Sequence, residues 1–279
     1  MAMTVNTNIS SLIAQRNLQK TSNSLSRSVE RLTSGLRINR AADDAAGLAL
    51  STSMKAQIRS INQAVRNAND AVSLLQTAEG GLSEMSNILL RMRELAEQAA
   101  NESLGQEERQ YLNDEYLSLK SEITRISDVT EFAGKKLLDG TISSGVNFQV
   151  GFKNSTQNRL SFSMSDTDAA ALGLNTANAN SISTASLAQS ALAVIDASAI
   201  TVLSERRGDI GALQNRLEYT IANLQSSSEN FSAANSRIED ADFAYETAVY
   251  VKNQILMQAG TSVLAQANVL PQQALTLLG

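Results

Sequence analysis

The chain contains no cysteine and no histidine. Their absence removes the Ser-His and Cys-His nucleophile pairs, the histidine ligands of zinc and a proton shuttle that works near neutral pH. Carboxylate, lysine or tyrosine chemistry would still need a pocket that holds a substrate. We therefore expect no enzyme activity, no cofactor and no metal site.

Bulky and helix-breaking residues are also scarce. The chain has one proline and no tryptophan, and aromatic residues make up 4%, although hydrophobic residues reach 43%. So few aromatic side chains leave little bulky material for a globular core. Small and aliphatic side chains in a nearly proline-free chain favour long helices packed side by side.

The net charge of −5 and the pI near 5.0 argue against nucleic acid as a partner, because nucleic-acid binding needs clustered Lys and Arg. No stretch approaches the roughly 20 apolar residues that a membrane span needs, so no membrane insertion is expected. Residues Met1 to Leu12 carry Asn, Thr and Ser where a secretory signal would have basic and then apolar segments. No cleaved signal peptide is therefore predicted.

The N-terminal segment carries a weak apolar stripe with steps of four and three, which is typical of a coiled-coil seam. Its members are Leu18, Ser22, Leu25, Val29, Leu32 and Leu36, with serine in one core position. The polar segment Asn39–Asp44 then interrupts the pattern. One of its two aspartates can cap a following helix.

Three strong helical patterns follow, at about 44–100, 105–130 and 185–233. In the first, apolar residues recur every seven residues from Ile61 to Ala96, and the phase continues across Gly80-Gly81. Two glycines inside a helix cost about 2 kcal/mol relative to alanine. Each buried leucine nearby contributes about 1.5–3 kcal/mol, so one unbroken helix is predicted.

Between the second and third patterns the period changes from helical to alternating, at about 134–175. Apolar residues alternate with polar ones in two runs, Phe148, Val150 and Phe152, then Leu160, Phe162 and Met164. This predicts one β-hairpin with an apolar face and a turn in Lys153–Asn158. Ser165–Thr184 shows little pattern and is predicted to be a connecting loop.

The C-terminal segment begins with Ser236-Arg237-Ile238-Glu239, which has the spacing of a capping box. An apolar row then repeats every seven residues: Val249, Leu256, Val263, Leu270 and Leu277. Pro271 removes one backbone donor and could kink or end this helix.

The predicted fold is mainly α, with long antiparallel helices. Segments 1–43 and 236–279 form a coiled-coil terminal domain, and 44–235 forms a helical bundle with the small β-hairpin region. The terminal stripes contain too few apolar side chains to offset the entropy of ordering both segments. Helices from neighbouring chains would bury the remaining faces, so the terminal stripes predict a polymerisation seam.

The residues of both ends closely resemble those of bacterial flagellins. The matching stretches are Asn8–Leu12, Leu32–Asn39, Ala41–Leu48, Ser236–Asp240 and Gln258–Asn268. The resemblance covers nearly the whole chain and identifies a short form, because only the Ser165–Thr184 loop stands where larger flagellins insert hypervariable outer domains.

This resemblance implies a structural subunit that polymerises into the extracellular flagellar filament and serves motility. It also implies export in an unfolded state through the flagellar type III apparatus. The partners implied are an export chaperone, which would hold the C-terminal helix, a cap protein at the filament tip and a hook-junction protein. Two alternatives are a hook–filament junction protein, which shares the terminal design, and a secreted helical adhesin or toxin.

A second implied partner is the animal Toll-like receptor that senses flagellin. Arg91, Leu95 and Gln98 on the first strong helix, with Glu115 on the next, match the positions that this receptor contacts in the family. The alternative interpretation is an ordinary solvated helix face stabilised by ion pairs such as Arg93 with Glu97.

Overall fold

A computed structural model describes residues 7–276, with side chains through residue 269. The fold is mainly α, as predicted. The helices are α1 (Ile9–Ser34), α2 (Ala45–Ala99), α3 (Gln106–Val129), α4 (Ala185–Val194), α5 (Ile200–Glu239) and α6 (Phe243–Thr276). A π-helical segment, Ile195–Ala199, joins α4 to α5 without a break. The predicted helix at 44–100 corresponds to the single helix α2. Helix α6 continues through Pro271.

The chain forms two compact units. Unit 1 comprises the residues up to Ile58 and those from Glu229 onward, and unit 2 is Arg59–Ser228. Helices α2 and α5 each contribute to both units. The sequence-based boundaries at 43/44 and 235/236 follow breaks in the helical pattern, whereas the contacts divide the chain inside these two helices.

Unit 1 is built on the antiparallel pair of α1 and α6. Helix α1 is capped at its N-terminus by Asn8, whose side chain accepts a hydrogen bond from the Ser11 amide at 3.1 Å. It ends at Gly35, where φ is +73°, a value that glycine adopts without a Cβ penalty. The Ala241 amide then donates to the Gly35 carbonyl at 2.9 Å. The N-terminal helix is thus tied to the chain segment that precedes α6.

The segment Ser236–Glu239 is the last turn of α5 and not the start of the next helix. The interpretation of this segment as a capping box was therefore wrong. The predicted end at 233 of the helix that precedes it was also wrong, because α5 continues to Glu239. Asp242 performs the capping role instead, because its carboxylate accepts hydrogen bonds from the amides of Ala244 and Tyr245.

Unit 2 contains two short hairpins, of which one was predicted. Strands β3 (Val146–Gln149) and β4 (Arg159–Phe162) pair antiparallel, with Phe148 opposite Leu160. Strands β1 (Glu131–Phe132) and β2 (Lys135–Lys136) form the hairpin that the sequence analysis missed. Strands of two residues are too short to show an alternating pattern.

The segment 165–184 has no helix or strand, as expected for a loop, yet it supplies part of the core of unit 2. Leu172, Leu174 and Ile182 are buried. Tyr116 of α3 donates its hydroxyl hydrogen to the Ala179 carbonyl at 2.9 Å. Burial raises the pKa of the Tyr116 phenol to about 12. The segment is therefore a packed layer over the helices.

The continuous helix Ala185–Glu239 contains a stretch that is long and apolar enough for a membrane span by length and composition. This differs from the expectation that no stretch is apolar enough for a span. Core helices of soluble proteins pass the same test, and Ala188, Ala191 and Ile195 of this helix are buried in the core of unit 2.

Candidate functional site

The faces by which α1 and α6 contact each other combine apolar side chains with buried polar ones. On α1, Leu18, Leu25 and Leu32 are half-buried, and Ser11 and Ser28 are buried. On α6 the buried residues are Glu246, Asn253 and Ala267. Three contacts fix the antiparallel register: Asn8 Nδ2 donates to the Ala267 carbonyl at 2.8 Å, Arg31 lies 3.5 Å from the Glu246 carboxylate, and Gly260 lies against Leu18.

The apolar row predicted on α6 lies beside this contact face and not within it. Val249 is half-buried, but Leu256 is 47% exposed and Val263 is 55% exposed. On α1, Val29 is 45% exposed, unlike the other predicted seam residues of that helix. The side chain of Leu270 and the whole of Leu277 lie outside the described residues.

The outward faces of the pair carry most of the large apolar side chains that are exposed in the described part of the chain. They are Ile9, Leu12, Ile13 and Val29 on α1, and Phe243, Tyr245, Val251, Ile255, Leu256, Val263 and Val269 on α6. A shallow groove of about 840 Å³ runs along α6 past Phe243, Val251 and Ile255. An exposed apolar groove of this kind is typical of a site of protein association.

The buried carboxylate of Glu239 forms a hydrogen-bonded cluster with side chains of α2 and α5 in unit 1. The Glu239 side chain accepts hydrogen bonds from Ser51, Lys55 and Asn235. Burial opposes its ionisation, but these hydrogen bonds and the charge of Lys55 outweigh burial, so the pKa of Glu239 lies below its ordinary value. The Arg37 amide also donates to the Glu239 carbonyl. The sequence offered no signal for this cluster beyond the charges themselves.

The predicted receptor residues lie on unit 2, and three of the four are at its surface. Arg91 donates from Nε to Glu115 Oε1 at 3.0 Å and from Nη1 to Glu94 at 3.0 Å. Hydrogen bonds from Arg91 to Glu94 and Glu115 raise the pKa of the guanidinium. Gln98 is exposed nearby on α2. Leu95 is 1% exposed and packs in the core, so its placement on this face was wrong.

A second ion pair flanks this face. Arg93 donates to Asp196 of the π-helical segment at 2.7 Å and lies 3.7 Å from Glu97. The predicted Arg93–Glu97 pair is therefore present. Among residues 7–269, no group of three or more acidic side chains lies close enough to hold a metal ion.

Comparison with known proteins assigns the chain to a family. Residues 5–143 match the Bacterial flagellin N-terminal helical region, and residues 192–278 match the Bacterial flagellin C-terminal helical region. The flagellin of Halalkalibacterium halodurans is 46% identical over 276 residues, covering 99% of this chain and 100% of the relative. The chain belongs to the bacterial flagellin family.

Other flagellins agree with this assignment. The flagellin of Bacillus subtilis is 43% identical over 306 aligned residues, covering 99% of this chain and all of the relative. The crystal structure of Bacillus cereus flagellin is 32% identical, with a TM-score of 0.50, and covers 61% of this chain and 94% of that one. Because the H. halodurans relative is matched along its whole length, this flagellin is a short form without large outer domains.

Family membership establishes the general function. This flagellin is a structural subunit that polymerises into the bacterial flagellar filament, which lies outside the cell. The similarities lend no support to the alternatives of a hook–filament junction protein or a secreted adhesin or toxin.

Proposed function

We propose that the α1–α6 pair is the polymerisation element of this flagellin and that its outward apolar faces form the dry contacts between subunits. The observation that carries this proposal is the concentration of exposed apolar side chains on these two helices, from Ile9 to Val29 and from Phe243 to Val269. Apolar surface of this extent is costly in water and is covered when copies associate.

The polymerisation seam has two layers in this proposal. Leu18, Leu25 and Leu32 hold α1 to α6 within one chain. Val29, Leu256 and Val263 face outward toward neighbouring chains, and Val249 lies between the two sets. Leu270 and Leu277 continue the same apolar row, with its spacing of seven residues, toward the C-terminus.

Removing Phe243–Gly279 tests this assignment. The shortened chain should keep the helical unit 2, because the core of that unit contains no residue from α6, but it should not polymerise on filament seeds. Circular dichroism and sedimentation would report the two properties. Filaments formed at the wild-type critical concentration would contradict the proposal.

We further propose that the chain is exported through the flagellar type III apparatus with a chaperone on its C-terminal helix, and that it assembles beneath a cap protein on a hook-junction protein. Flagellin family membership supports these partners. An isolated α6 with most of its apolar residues exposed is also a segment that a chaperone would need to cover. Copurification of a chaperone with the full-length chain, but not with the chain ending at Asp242, would support the proposal that a chaperone binds the C-terminal helix.

We propose finally that Arg91, Gln98 and Glu115 contribute to recognition by the flagellin-sensing Toll-like receptor. They share one exposed face, and the Arg91–Glu115 ion pair links α2 to α3 there. Monomer should activate the receptor in reporter cells more strongly than intact filament. Arg91→Ala with Glu115→Ala should lower the monomer response, with Arg125→Ala and Glu122→Ala, another exposed ion pair, as the matched control. An unchanged dose response would refute the assignment.

A further inference from the structure

Unit 2 carries unpaired positive charge at one end. The cations are Arg59 and Arg66 on α2 and Lys153 and Arg159 on the β3–β4 hairpin. The hairpin is held against α2 by a hydrogen bond from Asn67 Nδ2 to the Gln149 carbonyl at 3.1 Å. All four cations are exposed, and none forms an ion pair within residues 7–269. Asp70 is exposed one turn after Arg66, so this set of five charges has a net charge of +3.

The same end contains a concave surface. A cavity of about 390 Å³ lies between α2 and the hairpin loop, lined by Gln63, Asn67, Phe152 and Lys153. Amide groups, an aromatic ring and a lysine suit a short acidic stretch of polypeptide, because they offer hydrogen-bond donors and a cation without a deep apolar pocket.

The other end of unit 2 carries unpaired negative charge. It is the turn from α2 to α3, where Glu102, Glu107 and Glu108 are exposed and form no ion pair in the described structure. Arg109 holds the turn from inside: its Nε donates to the Ala99 carbonyl at 3.0 Å and its Nη2 to the Asn101 carbonyl at 2.9 Å. The turn is therefore a projecting acidic element whose backbone is fixed.

These two surfaces cannot meet within one copy. Both are anchored to α2, and Ala64 and Ala99 are separated by roughly 50 Å along that helix at about 1.5 Å per residue. Two complementary surfaces at opposite ends of a subunit generate an open polymer when each copy binds the next. We infer that the acidic α2–α3 turn of one copy docks on the basic, concave end of unit 2 in the next copy along the filament.

This inference rests on self-polymerisation and not on the α1–α6 seam. The seam supplies apolar contact area, whereas the contact between the ends of unit 2 would supply charge complementarity, which sets register and the rate of addition. Added salt should slow elongation, because the contributing charges are exposed and screened.

Arg59→Glu with Lys153→Glu tests the basic end. We expect a critical concentration for seeded assembly that rises roughly tenfold or more, because like charges would face each other at every junction. Arg159 is left in place because it donates to Gln149 and Asn154. Arg207→Glu with Arg216→Glu makes the same change in net charge at exposed positions of α5 between the two ends, and it should assemble nearly as wild type does.

Reversing the acidic end as well makes the decisive comparison. Glu102→Lys with Glu107→Lys should fail in the same way when tested alone. The chain with all four substitutions restores opposite charges across the contact and should assemble within about threefold of wild type. The monomer melting temperature of each variant checks folding. Equal impairment in the α5 control, or no recovery in the fourfold variant, would overturn the inference, and neither result would affect the seam proposal because every chain keeps its terminal helices intact.

Discussion

At the scale of single residues, Gly80 and Gly81 occupy very different positions despite standing next to each other in the middle of α2. A Cβ added at Gly81 would lie 2.8 Å from Leu138 Cδ1 and 2.9 Å from Thr130 Oγ1, whereas one added at Gly80 would meet nothing within 4 Å. Gly81 therefore allows the segment after α3 to approach α2 closely. Gly80 has no such contact with the residues that the structure describes.

The two glycines predict opposite effects of the same substitution. Gly80→Ala should stabilise the monomer by up to about 1 kcal/mol, because alanine is the better helix former. Gly81→Ala should destabilise it by about 1–3 kcal/mol through overpacking against Leu138 and Thr130. Urea unfolding of the two variants measures both, and each serves as the other's control. Equal effects would mean that Gly81 is not a packing site.

Glu239 gives unit 1 a pH-dependent contribution to stability. Its pKa is lower in the folded chain, so the contribution is complete above the unfolded-state pKa and is lost as the pH falls through the folded-state value. Glu239→Gln should cost about 1–3 kcal/mol at pH 7, since buried hydrogen bonds from Lys55 and Ser51 to a charged group are weakened.

The cost of Glu239→Gln should begin to shrink as the pH falls below the ordinary glutamate pKa of about 4.3, and the contribution of ionisation should be lost only below the lower folded-state pKa. Denaturant titrations at several pH values provide the measurement. Asp240→Asn removes the adjacent exposed carboxylate and should have little effect. A difference between wild type and Glu239→Gln that stays constant from pH 7 to pH 3 would contradict the role of ionisation.

At the scale of elements, the sequence predicted the long helices well and the faces of the terminal helices poorly. Heptad periodicity located α2, because its inner face is apolar and its outer face is polar. In α6 the two faces are less distinct: Glu246 and Asn253 are buried on the inner face, whereas Leu256 and Val263 are exposed. Hydrophobic periodicity locates an apolar face of the helix, but it cannot tell whether that face contacts the same chain or a neighbouring one.

The prediction that Leu95 lies on the receptor face was wrong for a related reason. Its position on α2 was carried over from a family pattern, but the same apolar row from Ile61 to Ala96 that predicted the helix also implies that a leucine between Met92 and Ala99 faces the core. Glu239 and the layer at 165–184 could not be predicted, because their burial depends on partners that are distant in sequence.

Gly260 tests how closely α1 and α6 must approach. A Cβ there would lie 3.2 Å from Leu18 Cγ, so the larger Gly260→Val should push the helices apart and weaken unit 1 by about 1–3 kcal/mol. Ala259→Val changes an exposed neighbour and is the matched control. Hydrogen exchange at the amides of α1 would report the loosening. Protection equal to that of the control would show that the pair tolerates a wider spacing.

At the scale of the whole molecule, the proposed polymerisation seam places the contacts between copies on the terminal helices. Within one chain, α1 and α6 meet through half-buried leucines that are interrupted by buried polar residues such as Ser28 and Asn253. This contact contributes less hydrophobic stabilisation than an uninterrupted leucine seam would. Large apolar side chains such as Ile255 and Val263 are exposed on the outside, where neighbouring subunits would cover them in the proposed filament. Stability of this region is therefore coupled to assembly, as expected when binding partners stabilise the folded state by mass action.

Val263→Asp tests this coupling directly. Val263 is 55% exposed in the single chain, so an aspartate there should leave monomer melting and secretion unchanged. In the proposed filament the same carboxylate would lie in a dry contact, where an unpaired charge costs several kcal/mol or takes up a proton with a raised pKa. Because every added subunit carries this cost, the critical concentration should rise sharply at neutral pH and recover partly at low pH. Val263→Asn has the same shape without the titrating group, so its critical concentration should not respond to pH. Wild-type assembly by Val263→Asp at pH 7 would place Val263 outside the subunit contacts.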